Sequence, residues 1–247
     1  MTENIKELLP NIQEHKLFFD YDFRLIGGTA LSYHLNHRLS EDLDFCFKGL
    51  LPKKAIDEFI THCEEIFGED KVEPIPFEIG KIVNQFSFET SGEDLTDYEQ
   101  NWQIRGVKVT FFDGSSQTGL WDILEQDQYT MIGNIKVTSV DSIFMTKSLT
   151  FYNRAKARDY YDLFHMMSIE KKFTIEKILE IIQHYEKAYQ DEGIGLLLQQ
   201  LENPSYDEKK DEKLIGLVDG PEDFKTLNTR LTALIKEYLY ESKKTFE

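Results

Sequence analysis

A glycine pair between two short apolar segments limits how this part of the chain can fold. The segment Phe23–Ile26 is largely apolar and stops at Gly27-Gly28, which is typical of a strand that ends in a tight turn. Residues Thr29–Asn36 have the length of a helix, and Asp42–Phe47 alternates acidic and apolar residues before it becomes apolar. The pattern therefore predicts a strand, a turn, a helix and a second strand in succession.

Asp42 and Asp44 are two residues apart on the second strand, so their side chains are predicted to share one face. Neighbouring carboxylates repel each other, and a divalent cation removes that penalty. Mg²⁺ prefers carboxylate oxygens and commonly keeps substrate phosphates as its other ligands. We therefore expect Asp42 and Asp44 to bind Mg²⁺ or Mn²⁺, with two ions in the mechanism.

The glycine turn complements this acidic pair. Glycines let backbone amides approach a phosphate at a helix N-terminus, and Thr29 adds a hydroxyl donor. Either feature alone is commonplace, because a Gly-Gly pair is ordinarily just a turn and Asp-x-Asp an exposed strand. Both features within one strand-turn-helix-strand unit favour transfer from a nucleoside triphosphate.

The two motifs lie in a run that resembles the AbiEii/AbiGii toxin family of nucleotidyltransferases, within the DNA polymerase β-like superfamily. Members commonly have Gly-Gly-Thr-Ala-Leu followed by His-Arg-x-Ser-x-Asp-Leu-Asp-Phe. This chain matches at Gly27–Leu31 and again from His37 to Phe45, in the run LIGGTALSYHLNHRLSEDLDFCF. The resemblance resumes at Asp141, at Lys147, and over the stretch from Arg154 to Leu163, whose Arg-Asp-x-x-Asp ending fits the family pattern.

The resemblance implies roles for particular residues. Lys147 would contact the phosphates of the nucleotide, and Asp159 with the neighbouring lysine would form part of the active cleft. The full set of expected nucleotide-binding residues is Gly27, Gly28, Thr29, Arg38, Ser40, Lys147, Lys156 and Arg158. The expected catalytic residues are Asp42, Asp44, Asp113 and Asp159. Residues 142–158 support this expectation by charge, because they contain lysines and arginines and no acid in a chain of net charge −17. Arg158 and Asp162 are four residues apart and can alternatively form an ion pair that only anchors a helix.

The superfamily usually places a third acid on a neighbouring strand, here the predicted strand Val107–Asp113. Thr110 occupies the position where that acid is most natural, and threonine cannot supply a carboxylate. Asp113 is the nearest carboxylate, but it is an odd number of residues from Thr110, so only a bulge or the strand end could turn it to the same face. Asp159 is the alternative base. We favour Asp113.

The whole pattern predicts an α+β protein. A nucleotidyltransferase-fold domain over residues 1–139 has a small mixed sheet and flanking helices, and a helical domain over residues 140–247 closes the nucleotide cleft. Further strands are predicted at Ile82–Phe88, Ile104–Phe112 and Ile135–Thr138. Helices are predicted over residues 140–153, 154–168, 174–201 and 222–243, with an exposed loop at Glu202–Lys213.

Composition narrows the remaining options. The N-terminal residues lack the apolar core of a signal peptide, and no apolar run is long enough for a membrane span, so we expect a cytoplasmic protein. We expect Cys46 and Cys63 to be reduced residues in the core. The family suggests a type IV toxin–antitoxin or phage-defence toxin with a nearby antitoxin protein and an RNA acceptor. The acidic surface disfavours a large RNA footprint. Transfer to a small hydroxylated molecule such as an aminoglycoside, or a non-catalytic nucleotide-binding module, are the alternatives.

Overall fold

The computed structural model describes residues 1–77, 94–154, 156–187, 194–202 and 223–244, together with Leu214 and Leu217. The strand predicted at Ile82–Phe88, and most of the loop predicted at Glu202–Lys213, lie outside these residues. The chain divides into two compact units, Met1–Ser139 and Val140–Glu247, and we take each separately.

The N-terminal unit alternates short strands with helices. Its helices are α1 (Glu3–Ile12), α2 (Lys16–Asp20), α3 (Gly27–Leu35), α4 (Lys53–Phe67) and α5 (Leu120–Glu125). Its strands are β1 (Arg24–Ile26), β2 (Asp42–Phe47), β3 (Val72–Pro74), β4 (Glu99–Ile104), β5 (Val107–Asp113), β6 (Thr130–Ile132) and β7 (Ile135–Val137).

Within the described residues these strands form one seven-stranded sheet in the order β3-β4-β5-β2-β1-β7-β6. Strand β2 runs parallel to β5 and β1 runs parallel to β7, whereas the other neighbours are antiparallel. The predicted α+β class with a mixed sheet is confirmed.

One face of the sheet packs against helices through aromatic side chains. Phe45 on β2 stacks on Phe111 of β5 with ring centroids 5.5 Å apart, and Phe18 and Phe59 pack edge-on or tilted against this pair. All four rings are fully buried. Because strand side chains alternate, the burial of Phe45 directs its neighbour Asp44 to the opposite face.

The strand predicted over Ile104–Phe112 is present as β5 but begins at Val107, because Ile104 ends the preceding strand β4. Strands β4 and β5 are separate and antiparallel, joined at Arg105-Gly106, where the φ angles are +50° and +78°. Two left-handed residues in succession make the tight turn that suits a two-residue hairpin. Because arginine rarely adopts a positive φ, the sequence pattern does not predict a turn at this position.

The C-terminal unit is helical wherever it is described as regular structure. Its helices are α6 (Val140–Asn153), α7 (Ala157–Ile169), α8 (Ile175–Tyr185), α9 (Ile194–Glu202) and α10 (Phe224–Lys244). The single helix predicted over residues 174–201 is wrong, because Glu186 has an extended backbone and ends α8. Among the described residues, no helix has the length and apolar character needed to cross a membrane.

Candidate active site

The turn between β1 and α3 lies directly against the acidic pair. Gly27 has a φ of +72°, in the left-handed region that glycine adopts without strain. A Cβ atom built on Gly27 would be 3.4 Å from Oδ2 of Asp44, and Ile26 is the antiparallel partner of Asp44 in the sheet. The sequence-predicted turn and carboxylate are therefore brought together at the N-terminus of α3.

Gly28 is required for a different contact. A Cβ atom there would lie 2.4 Å from Nη2 of Arg38 and 3.2 Å from Oγ of Ser40. The Arg38 side chain is 5% exposed, and its Nη1 donates to the Leu39 carbonyl oxygen. The absence of a side chain at Gly28 thus makes room for a buried guanidinium group, which the sequence interpretation assigned to the nucleotide.

Thr29 and Ser40 hold the start of β2 in place. The Thr29 hydroxyl hydrogen-bonds to the Ser40 hydroxyl at 2.8 Å and donates to the Asp42 carbonyl oxygen. Both side chains are at most 4% exposed. Thr29 and Ser40 therefore position Asp42, and direct contact of Thr29, Arg38 and Ser40 with the nucleotide stays a prediction.

Asp42 and Asp44 are half-buried and share one face of β2, as predicted. In the parallel register Asp42 is opposite Lys108 and Asp44 is opposite Thr110 on β5. Lys108 is exposed and was not singled out from the sequence, although its two-residue spacing from Thr110 places it on the same face.

The donor set fits a hard divalent cation. Two carboxylates on one face supply the oxygen ligands that Mg²⁺ prefers, and Thr110, the register partner of Asp44, carries a hydroxyl on the same face. Among the described residues, no three histidine, cysteine, aspartate or glutamate side chains are grouped so that they could hold a metal ion. Water or the phosphate oxygens of a substrate would complete the coordination.

Asp113 does not join this site. It is the register partner of Phe47, and in a regular strand its side chain is on the face opposite that of Thr110. The Asp113 carboxylate is 6% exposed and accepts hydrogen bonds from Gly49 N, Ser115 N and Ser115 Oγ at 2.6–2.8 Å. Asp113 orders the two chain segments that leave β2 and β5, so the preference for it as the third carboxylate is not retained.

Replacement of Asp113 with alanine should lower the free energy of unfolding by about 1–3 kcal/mol, because the backbone N–H groups of Gly49 and Ser115 lose a charged acceptor. Urea unfolding measures the loss. Asp113→Asn keeps one acceptor oxygen and should lose less than half as much. Equal stability of the alanine variant and the wild type would contradict this role.

In the C-terminal unit, Lys147 is the centre of a buried ion cluster. Its Nζ atom is 2.5 Å from Oδ1 of Asp159 and 2.8 Å from Oδ2 of Asp162, and Arg154 Nε is 3.0 Å from the other oxygen of Asp159. Lys147 is 7% exposed, and both aspartates are at most 2% exposed. Lys147 was predicted to contact the phosphates of the nucleotide, and its ion pairs with Asp159 and Asp162 were not predicted from the sequence.

The charges of this ion cluster change the pKa of Asp159, which was the alternative candidate for the general base. Burial opposes ionisation of Asp159, but the charges of Lys147 and Arg154 outweigh it and lower the pKa of this carboxyl below its ordinary value. A carboxylate that is held by two cations is a poor proton acceptor near neutral pH.

Lys156 precedes α7 as its N-cap residue, and both Lys156 and Arg158 are partly buried.

A mixed sheet that holds a glycine turn against an Asp-x-Asp strand is the arrangement expected of the nucleotidyltransferase class. The chain belongs to the AbiEii nucleotidyltransferase toxin family of type IV toxin–antitoxin systems, whose family model matches residues 14–246. The predicted family is thereby confirmed.

Individual relatives are distant. An uncharacterized protein of Aquifex aeolicus, aq_aa25, is 26% identical over 146 residues, which cover 59% of this chain and 58% of that protein. JHP933 from Helicobacter pylori has a TM-score of 0.48 and 14% identity, with complete coverage of both chains. The nucleotidyltransferase toxin MenT4 from Mycobacterium tuberculosis has a TM-score of 0.49 and 15% identity, covering 93% of this chain and 81% of its own.

Proposed function

We propose that this chain is a metal-dependent nucleotidyltransferase that moves a nucleoside monophosphate from a nucleoside triphosphate to an acceptor hydroxyl. The observation that carries the proposal is the contact between the Gly27 turn and the Asp44 carboxylate, with Asp42 on the same half-buried face. A phosphate cradle and a cation-binding pair are thus adjacent in one site.

The N-terminus of α3 and the two aspartates of β2 have different proposed roles. Backbone amides at the N-terminus of α3 face the triphosphate, since the helix dipole and the unpaired N–H groups there favour an anion. Asp42 and Asp44 bind the metal ions, which would activate the acceptor oxygen and stabilise the leaving pyrophosphate. A bond forms between the acceptor oxygen and the α-phosphorus, the bond from that phosphorus to pyrophosphate breaks, and the proton of the acceptor hydroxyl is released to water.

Within the N-terminal unit, positive charge for the phosphates is proposed to come from Lys108, which is exposed beside Asp42 on the adjacent strand. In the C-terminal unit, Lys156 and Arg158 begin α7, and their binding to the nucleotide stays a prediction from the family resemblance. Lys147 is held there between two aspartates. We therefore propose that Lys147 mainly stabilises the C-terminal unit, rather than contacting the nucleotide.

The chain belongs to a family of type IV toxin–antitoxin toxins. We therefore favour RNA as the acceptor of the nucleotide. We also propose that a separate antitoxin protein is a partner of this chain. A non-catalytic nucleotide-binding module is the second candidate. It is favoured by Thr110, which occupies the strand position next to Asp44 without a carboxylate.

Radiolabel transfer tests these assignments. The protein is incubated with Mg²⁺ and each α-³²P-labelled nucleoside triphosphate in turn, with total RNA, total protein or an aminoglycoside as separate acceptors. We expect one triphosphate to label RNA. Label in the aminoglycoside alone would identify a small-molecule transferase, and triphosphate binding without label in any acceptor would establish the non-catalytic module.

A further inference from the structure

A row of polar side chains crosses three neighbouring strands on the face that carries the acidic pair. Asp44 on β2 is the register partner of Thr110 on β5, which is in turn the partner of Asn101 on β4. Glu99 is two residues before Asn101 and lies on the same face. The sequence interpretation used only the first two of these four residues.

Hydrogen bonds link Thr110, Asn101 and Glu99, and each bond is donated towards Glu99. The Thr110 hydroxyl donates to Oδ1 of Asn101 at 2.9 Å, and Nδ2 of Asn101 donates to Oε1 of Glu99 at 2.7 Å. A carboxylate can only accept, so Glu99 requires the amide group of Asn101 to face it. The amide oxygen of Asn101 then faces Thr110 and takes its hydroxyl hydrogen.

The consequence is the orientation of the Thr110 oxygen. The hydrogen of this hydroxyl points towards β4, so its lone pairs are left for the side of β2, where Asp44 lies. Thr110 is 8% exposed, which restricts other orientations of the group. A neutral oxygen acceptor therefore takes the place beside Asp44 where a carboxylate was expected.

We propose that Glu99 and Asn101 are positioning residues that hold the Thr110 hydroxyl as an oxygen ligand for the cation bound by Asp42 and Asp44. This inference rests on the proposed function only in requiring a divalent cation at that pair. Reversal of the relay would turn the Thr110 hydrogen towards Asp44, where it would compete with the cation.

Glu99→Lys reverses the relay, because an ammonium group donates to the amide oxygen of Asn101 and turns its NH₂ group towards Thr110. Binding of Mn²⁺ alone, followed by electron paramagnetic resonance of the free ion, should weaken roughly 10-fold, the scale of loss when a residue behind a metal ligand is changed. Glu73→Lys is the matched control, since it makes the same charge change at an exposed position on β3. It should leave Mn²⁺ affinity within about twofold of the wild type.

A double-mutant cycle with Thr110→Val separates the relay from a general charge effect. The valine alone should weaken Mn²⁺ binding, and Glu99→Lys should cause no further loss in the valine background. An equal loss in both backgrounds would overturn the proposal, as would absence of saturable Mn²⁺ binding by the wild type. If Glu99→Lys does not fold, Asn101→Leu in the same cycle gives the same comparison. Transfer activity is not needed for the readout, so failure of the relay and failure of the proposed function are distinguishable.

Discussion

Asp44→Asn should reduce nucleotide transfer by roughly a thousandfold while the fold is retained. The carboxylate lies against the Gly27 turn, where the phosphates are proposed to bind, and an amide cannot replace its charge as a metal ligand. A bound cation contributes several kcal/mol of charge stabilisation in the transition state, and about 4 kcal/mol corresponds to this factor. Initial rates of label transfer, measured at saturating Mg²⁺, give the comparison.

The matched control for this substitution is Asp113→Asn, which makes the same chemical change on the opposite face of the sheet. It should retain transfer to within about threefold, since the Asp113 carboxylate accepts hydrogen bonds from Gly49 and Ser115 and lies on the face opposite that of Asp44. Circular dichroism should show an unchanged fold for Asp44→Asn, so that the loss of transfer can be attributed to the site. Near-wild-type transfer in Asp44→Asn, or a large loss in Asp113→Asn, would contradict the site.

Lys147→Met should destabilise the C-terminal unit by roughly 3–5 kcal/mol, the usual effect of removing one partner from a buried ion pair. Methionine preserves the length of the side chain but removes the ammonium group that Asp162 faces at 2.8 Å, and of the two cations paired with Asp159 it leaves Arg154. Urea unfolding that is followed by helix circular dichroism measures the change.

Lys172→Met is the control for this variant. Lys172 is about half exposed and pairs with Asp141 and Glu170 at 2.8 and 3.1 Å, so its loss should change stability by less than about 1 kcal/mol. Similar effects of the two substitutions would show that the Lys147 cluster does not stabilise the unit.

The cluster also predicts how stability depends on pH. The folded pKa of Asp159 lies below its unfolded value of about 3.9, so its contribution is fully present above that pH and is lost as the pH falls through the folded pKa. Asp159→Asn should therefore flatten the acid side of the stability profile below about pH 4. An unchanged acid profile in that variant would contradict the assignment.

Several features of this protein could be predicted because they follow from local periodicity. The shared face of Asp42 and Asp44 follows from the two-residue repeat of a strand, and the left-handed Gly27 follows from glycine at a strand end. The buried face of α1 was equally readable from its apolar spacing, at Ile5, Leu8, Leu9 and Ile12.

Features that depend on distant partners could not be predicted in this way. Motif position suggested that Arg38 and Ser40 contact a nucleotide, but their burial beneath Gly28 is set by how α3 packs on β2. The hydrogen bond from Gly49 N to Asp113 depends on the pairing of β5 with β2, and the partners of Lys147 depend on the packing of α6 against α7.

The measurement that tests the central claim most directly compares two labels on the same triphosphate. The wild type and Asp44→Asn are incubated with Mg²⁺, RNA and a nucleoside triphosphate that carries ³²P at either the α or the γ position. Nucleotidyl transfer predicts that the wild type incorporates the α label into RNA and releases the γ label as pyrophosphate, and that Asp44→Asn incorporates neither. Incorporation of the γ label would show phosphoryl transfer instead, and equal α-label incorporation by both proteins would contradict catalysis at Asp44.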